Sequence, residues 1–312
     1  MSLSVALLGG GAIGTLFAAE LGQQGHEVTL LSRRLEVIER IRVDGVTLHD
    51  RRAGHSAAST TVRVAAMHPL DASGPYDVVI MTVKSSDVQW AAQLATRIVT
   101  AEGLVMSMQN GLRGARAVEE IGERGVAGTT YQGAVGDGPA SVIWTAQGAS
   151  LLAPRPSLTP SVLALVRAIG TDEFAWSIAD DCDAMLWEKL IVAVSNSVSG
   201  ALALPVYDVL ASPSAQRVLQ SARHEAAVIA VALGVGLDAP DLLRRLASMD
   251  PGAVGATSGS TYQSLTTGRR PEVDDISGAL VALGRQHGIP TPVNEMLTLM
   301  TEARCEVAGL SQ

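Results

Sequence analysis

A glycine-rich turn near the amino terminus constrains the fold of this chain more than any other feature. The pattern GxGxxG follows the apolar run Leu3–Leu8 and precedes the helical pattern of Ala12–Gln24. Glycines here allow a tight turn and close backbone approach to a pyrophosphate, which the unpaired N–H groups of a helix start can bind. The pattern predicts a dinucleotide-binding strand–turn–helix unit, with an ordinary structural turn as the alternative. The predicted cofactor contacts are Gly9, Gly11, Ala12, Ile13 and Gly14.

The residues after the second apolar run indicate which dinucleotide the unit would bind. The run Glu27–Leu31 is followed by Ser32, Arg33 and Arg34. An NAD site usually has Asp or Glu at this point, where it accepts hydrogen bonds from the ribose hydroxyls. A guanidinium instead suits the 2′-phosphate of NADPH. We therefore expect Ser32 and Arg33 to contact that phosphate, and the alternative is a pair of solvated loop arginines.

Apolar runs and helical segments alternate through the first half of the chain. Further runs at Tyr76–Val83 and Gly103–Met108 are rich in Val, Ile, Leu or Met, and this alternation predicts a parallel sheet with right-handed crossovers. The segment Gly125–Leu152 is β-rich with many glycines, which suggests a meander or hairpin at the edge of that sheet. A helix at Pro160–Ile169 and a strand at Phe174–Ile178 are expected to close this half.

The second half is almost wholly helical in pattern. Asp180 and Asp181 are suitable N-cap residues, and the boundary is expected near Ala179. The sequence thus predicts an α/β protein with a Rossmann-type domain over residues 1–179 and an all-helical domain over residues 180–312. The predicted helices of the second domain are Ala184–Leu202, Ser214–Leu233, Pro240–Ser248, Asp274–Gln286 and Val293–Ala308.

Charge and composition exclude several classes of partner. The net charge of −8, without a run of Lys or Arg, argues against nucleic acid or an anionic membrane. The two cysteines cannot form a disulfide framework, which favours a reducing cytoplasm. The first residues form an apolar strand pattern rather than a signal peptide, and the apolar stretches are too short or too interrupted to span a bilayer. The six histidines lack metal-ligand spacing, so no metal is expected.

Five further motifs occur in order along the chain. They are Asp77–Lys84, Gln109–Leu112, Leu186–Leu190, Glu272–Gly278 and His287–Asn294. With the glycine turn, this series resembles the ketopantoate reductase (2-dehydropantoate 2-reductase) family over essentially the whole chain. The resemblance implies a 6-phosphogluconate-dehydrogenase-like fold and a helical domain that completes the active site. It also implies NADPH-dependent reduction of a 2-keto acid, with ketopantoate reduced to pantoate in pantothenate biosynthesis.

The resemblance also implies roles for individual residues. Lys189 matches the general acid, and a ketone that receives hydride does need a proton donor at its oxygen. Glu272 matches a carboxylate beside that lysine, and Ser260 matches a serine that binds the substrate carboxylate. Lys84 and Asn110 match residues near the nicotinamide, and Asn110 is also expected to contact substrate. The alternatives are a surface lysine, a capping glutamate, and loop or turn residues.

One departure from the family pattern concerns the substrate. The family has asparagines four and eight residues after the lysine, where this chain has Ala193 and Ser197. Asn196 lies seven residues after Lys189, within ~20° of its direction on a helix, and could substitute; Asn196 and Ser197 are both expected to contact substrate. A paralogous reductase of another keto acid or ketone is therefore an alternative, as is a non-catalytic NADP-binding protein. The helical domain would suit a homodimer.

Overall fold

The computed structural model describes residues 2–155, 160–251 and 258–310. Its internal contacts divide the chain into two compact units. The first comprises Met1–Gln109 and Arg113–Cys182, and the second comprises Asn110–Leu112 and Asp183–Gln312.

The first unit contains all the described strands. They are β1 (Ser4–Leu8), β2 (Glu27–Leu31), β3 (Val46–Asp50), β4 (Ala58–Val62), β5 (Ala65–Met67), β6 (Tyr76–Met81), β7 (Val99–Ser107), β8 (Gly125–Thr130), β9 (Gly133–Gly136), β10 (Ser141–Ala146), β11 (Ser150–Leu152) and β12 (Trp176–Ile178). Its helices are α1 (Ala12–Gln23), α2 (Leu35–Asp44), α3 (Val88–Ile98), α4 (Arg113–Glu119) and α5 (Pro160–Ala168).

The main sheet has the strand order β12-β11-β8-β7-β6-β1-β2-β5. Its pairs are parallel except for β8 with β11, which run antiparallel. The predicted Rossmann-type fold is confirmed. β1 lies between β2 and β6 and runs parallel to both, so the carboxyl ends of these three strands lie side by side. Open α/β sheets bind ligands at the carboxyl ends of their strands.

The β-rich segment Gly125–Leu152 differs from the sequence prediction. β8 and β11 do belong to the main sheet, but β9 and β10 do not lie at its edge. They form a hairpin in a second sheet of order β4-β3-β10-β9, where β10 pairs parallel with β3. Alternate residues Val142 and Trp144 of β10 are buried in the core of this unit, so one face of the second sheet packs on that core.

The second unit is helical. Its helices are α6 (Cys182–Leu202), α7 (Val206–Ala211), α8 (Pro213–Ala232), α9 (Ala239–Ala247), α10 (Ser260–Thr266), α11 (Ser277–His287) and α12 (Pro292–Val307). The predicted helix Asp274–Gln286 instead begins as a 3-10 turn over Val273–Asp275, and α11 starts after Ile276. No helix in the described ranges is long and apolar enough to cross a membrane.

Apolar residues of α6 form the centre of the second unit's core. Leu190, Val194 and Val198 are fully buried, and they recur at intervals of four residues, so they lie on one side of the helix. The carboxylate of Glu225 on α8 accepts hydrogen bonds from the backbone N–H groups of Val293 and Asn294 at 2.9 and 3.0 Å. This satisfies the start of α12. Glu225 therefore ties α8 to the first turn of α12.

Candidate active site

The glycine turn between β1 and α1 has no room for side chains at two of its positions. Gly9 has φ +122°, and a Cβ there would lie 2.8 Å from the carbonyl carbon of Thr82. A Cβ on Gly14 would lie 1.9 Å from the Gly9 carbonyl oxygen. Both glycines are therefore required by close backbone packing, as the sequence motif predicts.

Gly11 differs from Gly9 and Gly14, because there is room beside its Cα atom. A Cβ on Gly11 would meet no heavy atom within 4 Å. Gly11 is also the N-cap of α1, and its residue type supplies no side chain to cap the helix. The first turn of this 12-residue helix contains Ala12 and Ile13, and no side chain of the N-cap residue bonds to its N–H groups. This arrangement fits a dinucleotide pyrophosphate, which needs both close backbone approach and helix N–H donors.

Thr82 holds this turn in place, and sequence reasoning did not identify it. Its backbone N–H donates to the Leu8 carbonyl at 2.8 Å, and its hydroxyl donates to the Gly9 carbonyl at 3.0 Å. A hydroxyl-bearing residue directly after β6, the strand beside β1, was the available signal. Thr82 fixes the two strand ends relative to each other.

The predicted 2′-phosphate residues follow β2 and have protein partners. The Arg33 guanidinium donates to the carboxylate of Asp87 and lies 5.9 Å from the ring centroid of Trp90. Ser32 is buried, and its hydroxyl accepts from the Arg34 backbone N–H at 3.1 Å. Arg33 is thus positioned by an acidic and an aromatic residue that the sequence analysis did not name.

Lys84 lies beyond the end of β6 and is exposed. Its carbonyl accepts from the Asp87 backbone N–H at 2.9 Å, at the start of the 3-10 turn Ser85–Asp87. The predicted cofactor residues of the first unit therefore follow the carboxyl ends of β1, β2 and β6. Those three strands are neighbours in the sheet.

Lys189 lies on α6 among apolar residues. Trp187 and Leu190 on either side are buried. Burial lowers the pKa of Lys189 from 10.5 to about 8, because removal from water disfavours the charged ammonium. An amine with a pKa in this range can both hold and release a proton near neutral pH.

Asn196 and Ser260 are joined directly. The backbone N–H of Ser260 donates to Oδ1 of Asn196 at 3.1 Å. Ser197, by contrast, is only 2% exposed, and its hydroxyl has no hydrogen-bond partner among the described residues. Ala193 is similarly buried. Of the polar residues on this part of α6, the structure therefore places Asn196, and not Ser197, against Ser260.

Glu272 and Asn110 belong to two segments that pack together in the second unit. Gly111 has φ +79°, and a Cβ there would lie 2.6 Å from the Asp275 carbonyl oxygen. The Asp275 backbone N–H in turn donates to the Glu272 carbonyl at 3.2 Å. The turn that contains Asn110 therefore lies against the segment that begins with Glu272.

Among the described residues, no group of three or more His, Cys, Asp or Glu side chains could hold a metal ion. The open glycine turn and the parallel sheet define the class of protein, a Rossmann-type dinucleotide-binding protein.

Comparison with known proteins identifies the family. The signature described as "Ketopantoate reductase PanE/ApbA" matches residues 5–157, and that of its C-terminal part matches residues 181–304. The chain belongs to the ketopantoate reductase family and is an oxidoreductase that acts on CH–OH groups. It is 28% identical over 295 residues to 2-dehydropantoate 2-reductase of Halobacterium salinarum, covering 93% of this chain and 95% of that protein.

Solved structures with the same fold include several family members. A ketopantoate reductase of Ralstonia eutropha is 28% identical with a TM-score of 0.82, over 98% of this chain and 99% of that one. D-mandelate dehydrogenase, solved with NADH and anilino(oxo)acetate, has a TM-score of 0.88 at 21% identity, over 98% and 99% of the two chains. The second similarity shows a shared fold alone.

Proposed function

We propose that this protein reduces a 2-keto acid with NADPH, and that ketopantoate, which gives pantoate for pantothenate biosynthesis, is the first substrate to test. The observation that supports this most strongly is the pKa of Lys189, lowered to about 8 by burial, on the helix that also holds Ser260 through Asn196. The relative in Halobacterium salinarum is named for this reaction.

Lys189 is the proposed proton donor. When bound in the first unit, a reduced nicotinamide would supply the hydride that the carbonyl carbon of the substrate needs. Negative charge then develops on the carbonyl oxygen, and the Lys189 ammonium donates its proton there. General acid catalysis of this kind contributes roughly 10²- to 10⁴-fold to a rate, and most when the pKa of the acid is near the working pH. The lowered pKa of Lys189 meets that condition.

The remaining substrate roles belong to residues of the second unit. Ser260 binds the substrate carboxylate through its hydroxyl, and Glu272 orients both the Lys189 ammonium and the substrate. Asn110 contacts the reacting end of the substrate. Support for its placement comes from Gly111, whose close packing on Asp275 keeps this turn beside the segment that contains Glu272.

The first unit is the proposed NADPH-binding domain. Gly11 and the start of α1 bind the pyrophosphate, and Arg33 with Ser32 binds the 2′-phosphate, while Lys84 contacts the nicotinamide side. NADH is the competing cofactor, because a protein of the same fold was solved with it. The presence of Arg33, rather than a carboxylate, after β2 supports NADPH.

A substrate screen tests the proposal. Purified protein is mixed with NADPH or NADH and with ketopantoate, pyruvate, 2-oxoisovalerate or phenylglyoxylate, and the loss of reduced-cofactor absorbance is followed. The proposal expects turnover with NADPH and the highest kcat/KM on ketopantoate. A higher kcat/KM on another ketone would favour a paralogous reductase, which the small residue at Ala193 supports. Tight NADPH binding without turnover would favour a non-catalytic protein.

A second copy of the chain is the proposed partner besides substrate. One side of α12 exposes apolar residues at Met296 and at the positions three, four and eleven residues after it, which are Leu299, Met300 and Val307. Such a stripe is self-complementary when two copies pair about a two-fold axis. A ketopantoate reductase of Staphylococcus aureus with this fold, 19% identical, is described as dimeric. Light scattering should give twice the chain mass, and Met300→Glu should reduce it to the monomer.

The cytoplasm is the proposed location. Cys182 and Cys305 are both free thiols in the structure, and free thiols persist in a reducing compartment. Fractionation of the source cells would test this, and recovery of the protein outside the cytoplasm would contradict it.

A further inference from the structure

The first turn of α10 packs on α6 more closely than side chains normally allow. Gly259, directly before α10, has φ +79°, and a Cβ there would lie 2.7 Å from Oδ1 of Asn196 and 2.7 Å from Cγ2 of Val206. One turn further along α6, a Cβ on Gly200 would lie 2.2 Å from Cγ2 of Thr261. Two glycines, one on each segment, therefore permit this approach.

Asn196 supplies the polar contact at the centre of this packing. Its Oδ1 accepts from the Ser260 backbone N–H at 3.1 Å. That N–H is among the first of α10 and has no partner within its own helix, so the amide satisfies a group that helix formation leaves open. The donor also fixes the orientation of the amide: Oδ1 faces Ser260, and the NH2 group faces away from that bond.

A neighbouring hydroxyl strengthens the same attachment. The single hydroxyl hydrogen of Ser199 on α6 is shared between the Leu204 carbonyl at 2.5 Å and, more weakly, the Ser258 carbonyl at 3.3 Å. The backbone on both sides of Gly259 is therefore tied to α6, by Ser199 before it and by Asn196 after it. Since Lys189 lies seven residues before Asn196 on the same helix, α6 determines the positions of both the lysine and Ser260.

We propose that Asn196 is a positioning residue, whose amide holds the backbone of Ser260 so that the serine hydroxyl meets the carboxylate of the 2-keto acid. This inference rests on the proposed reduction. The sequence predicts that Asn196 contacts the substrate itself. In the structure its amide oxygen accepts a hydrogen bond from the Ser260 backbone N–H, so Asn196 acts through the serine. This role also explains how a chain with Ala193 and Ser197 in place of the family's asparagines can still order its substrate-binding segment.

A double-mutant cycle tests this role. Asn196→Ala and Ser260→Ala should each raise KM for the keto acid about tenfold, which corresponds to 1.4 kcal/mol, with kcat within about threefold because Lys189 is unchanged. The double variant should match Ser260→Ala alone, since without the hydroxyl there is nothing left to position. Ser195→Ala is the matched control, because the hydrogen bond that its hydroxyl makes among the described residues lies within α6, to the Val192 carbonyl at 2.9 Å. It should leave KM unchanged.

Hydrogen exchange gives a readout that does not depend on activity. Asn196→Ala should increase amide exchange of a peptide that contains Ser260, and Ser195→Ala should not. Asn196→Asp keeps an acceptor for the N–H and should retain protection, which covers the case in which the alanine variant fails to fold. Unchanged protection in Asn196→Ala would overturn the inference.

The outcomes separate this inference from the proposed function. If the wild-type protein turns over keto acids but the effects of Asn196→Ala and Ser260→Ala on KM add, then Asn196 contacts substrate independently and the positioning role is wrong. If these effects add and Asn196→Ala also lowers Tm, the role of Asn196 is general stability, and the inference also fails. Absence of turnover on every keto acid would refute both this inference and the proposed function.

Discussion

The lowered pKa of Lys189 makes a quantitative prediction about the pH dependence of catalysis. With a pKa of about 8, about 90% of the amine is protonated at about pH 7 and only about 10% at about pH 9. An ordinary lysine, with a pKa of 10.5, would be almost fully protonated at both. If Lys189 is the general acid, kcat/KM for the keto acid, which reports groups of the enzyme before the keto acid binds, should therefore fall about tenfold between these two values.

Two variants connect this pH dependence to Lys189. Lys189→Arg keeps a cation that stays protonated throughout this pH range, so the alkaline decrease in kcat/KM should disappear while the rate itself falls by about 10²-fold or more. Lys189→Met removes the proton donor and should lower kcat similarly, with little change in the Kd of NADPH. A wild-type kcat/KM that stays level up to about pH 9, or a Lys189→Met variant with normal kcat, would refute the reasoning.

The same shift predicts a gain in stability when the lysine is removed. Between about pH 8 and 10.5 the unfolded chain binds more protons at this residue than the folded chain does, so stability rises with pH across that window. Below it, the folded state holds a charged amine at a cost of at most about 3 kcal/mol. Lys189→Met should therefore raise the free energy of unfolding at about pH 7, as measured by urea titration. A loss of stability would mean that the ammonium is favourably paired in the folded protein.

The remaining predictions concern the first unit. Arg33→Asp should weaken NADPH binding far more than NADH binding. Asp87→Asn should strengthen NADPH binding about two- to fivefold, since it removes an anion that competes for the Arg33 guanidinium. Equal effects on both cofactors, measured by fluorescence titration, would contradict the assignment of Arg33 to the 2′-phosphate. Gly11→Val should leave Tm unchanged and raise the Kd of NADPH about tenfold or more. Gly14→Ala should instead lower the free energy of unfolding by about 1–3 kcal/mol. A loss of stability in Gly11→Val with normal NADPH binding would refute the proposed pyrophosphate site. Burial raises the pKa of Glu20 from 4.5 to about 7, so the stability from this residue is present below about pH 4.5 and lost as pH rises through about 7. Glu20→Gln should accordingly stabilise the protein at about pH 8 in a urea titration, and destabilisation there would count against this.

The glycine turn shows which parts of the site could be predicted from sequence. Gly9 and Gly14 are required by contacts with their immediate neighbours, so a local pattern identifies them, and the strand and helix on either side follow from hydrophobic periodicity. The partner of Arg33 could not be found in this way. Asp87 is distant along the chain, and only the pairing of β1 with both β2 and β6 places the segments that follow them side by side.

The second sheet and the contact between Asn196 and Ser260 could not be predicted, for related reasons. β4 is exposed at four of its five positions and lacks an alternating apolar pattern, so its pairing with β3 depends on a tertiary contact. For Asn196, helical spacing correctly indicated the face of α6 that it shares with Lys189, but spacing does not reveal what the amide contacts. That depends on Gly259, whose positive φ permits the approach of α10 and is not a local pattern of α6.

Transfer of a labelled hydride is the most direct test of the proposed reaction. NADPH carrying deuterium at the transferred position is incubated with ketopantoate and the wild-type protein, and the product is analysed by mass spectrometry. We expect pantoate with one deuterium at the carbon of the new hydroxyl group, in an amount equal to the cofactor oxidised. Over the same initial period, Lys189→Met should form at least about a hundredfold less. No deuterated hydroxy acid from the wild-type protein, or an equal yield from the variant, would contradict it.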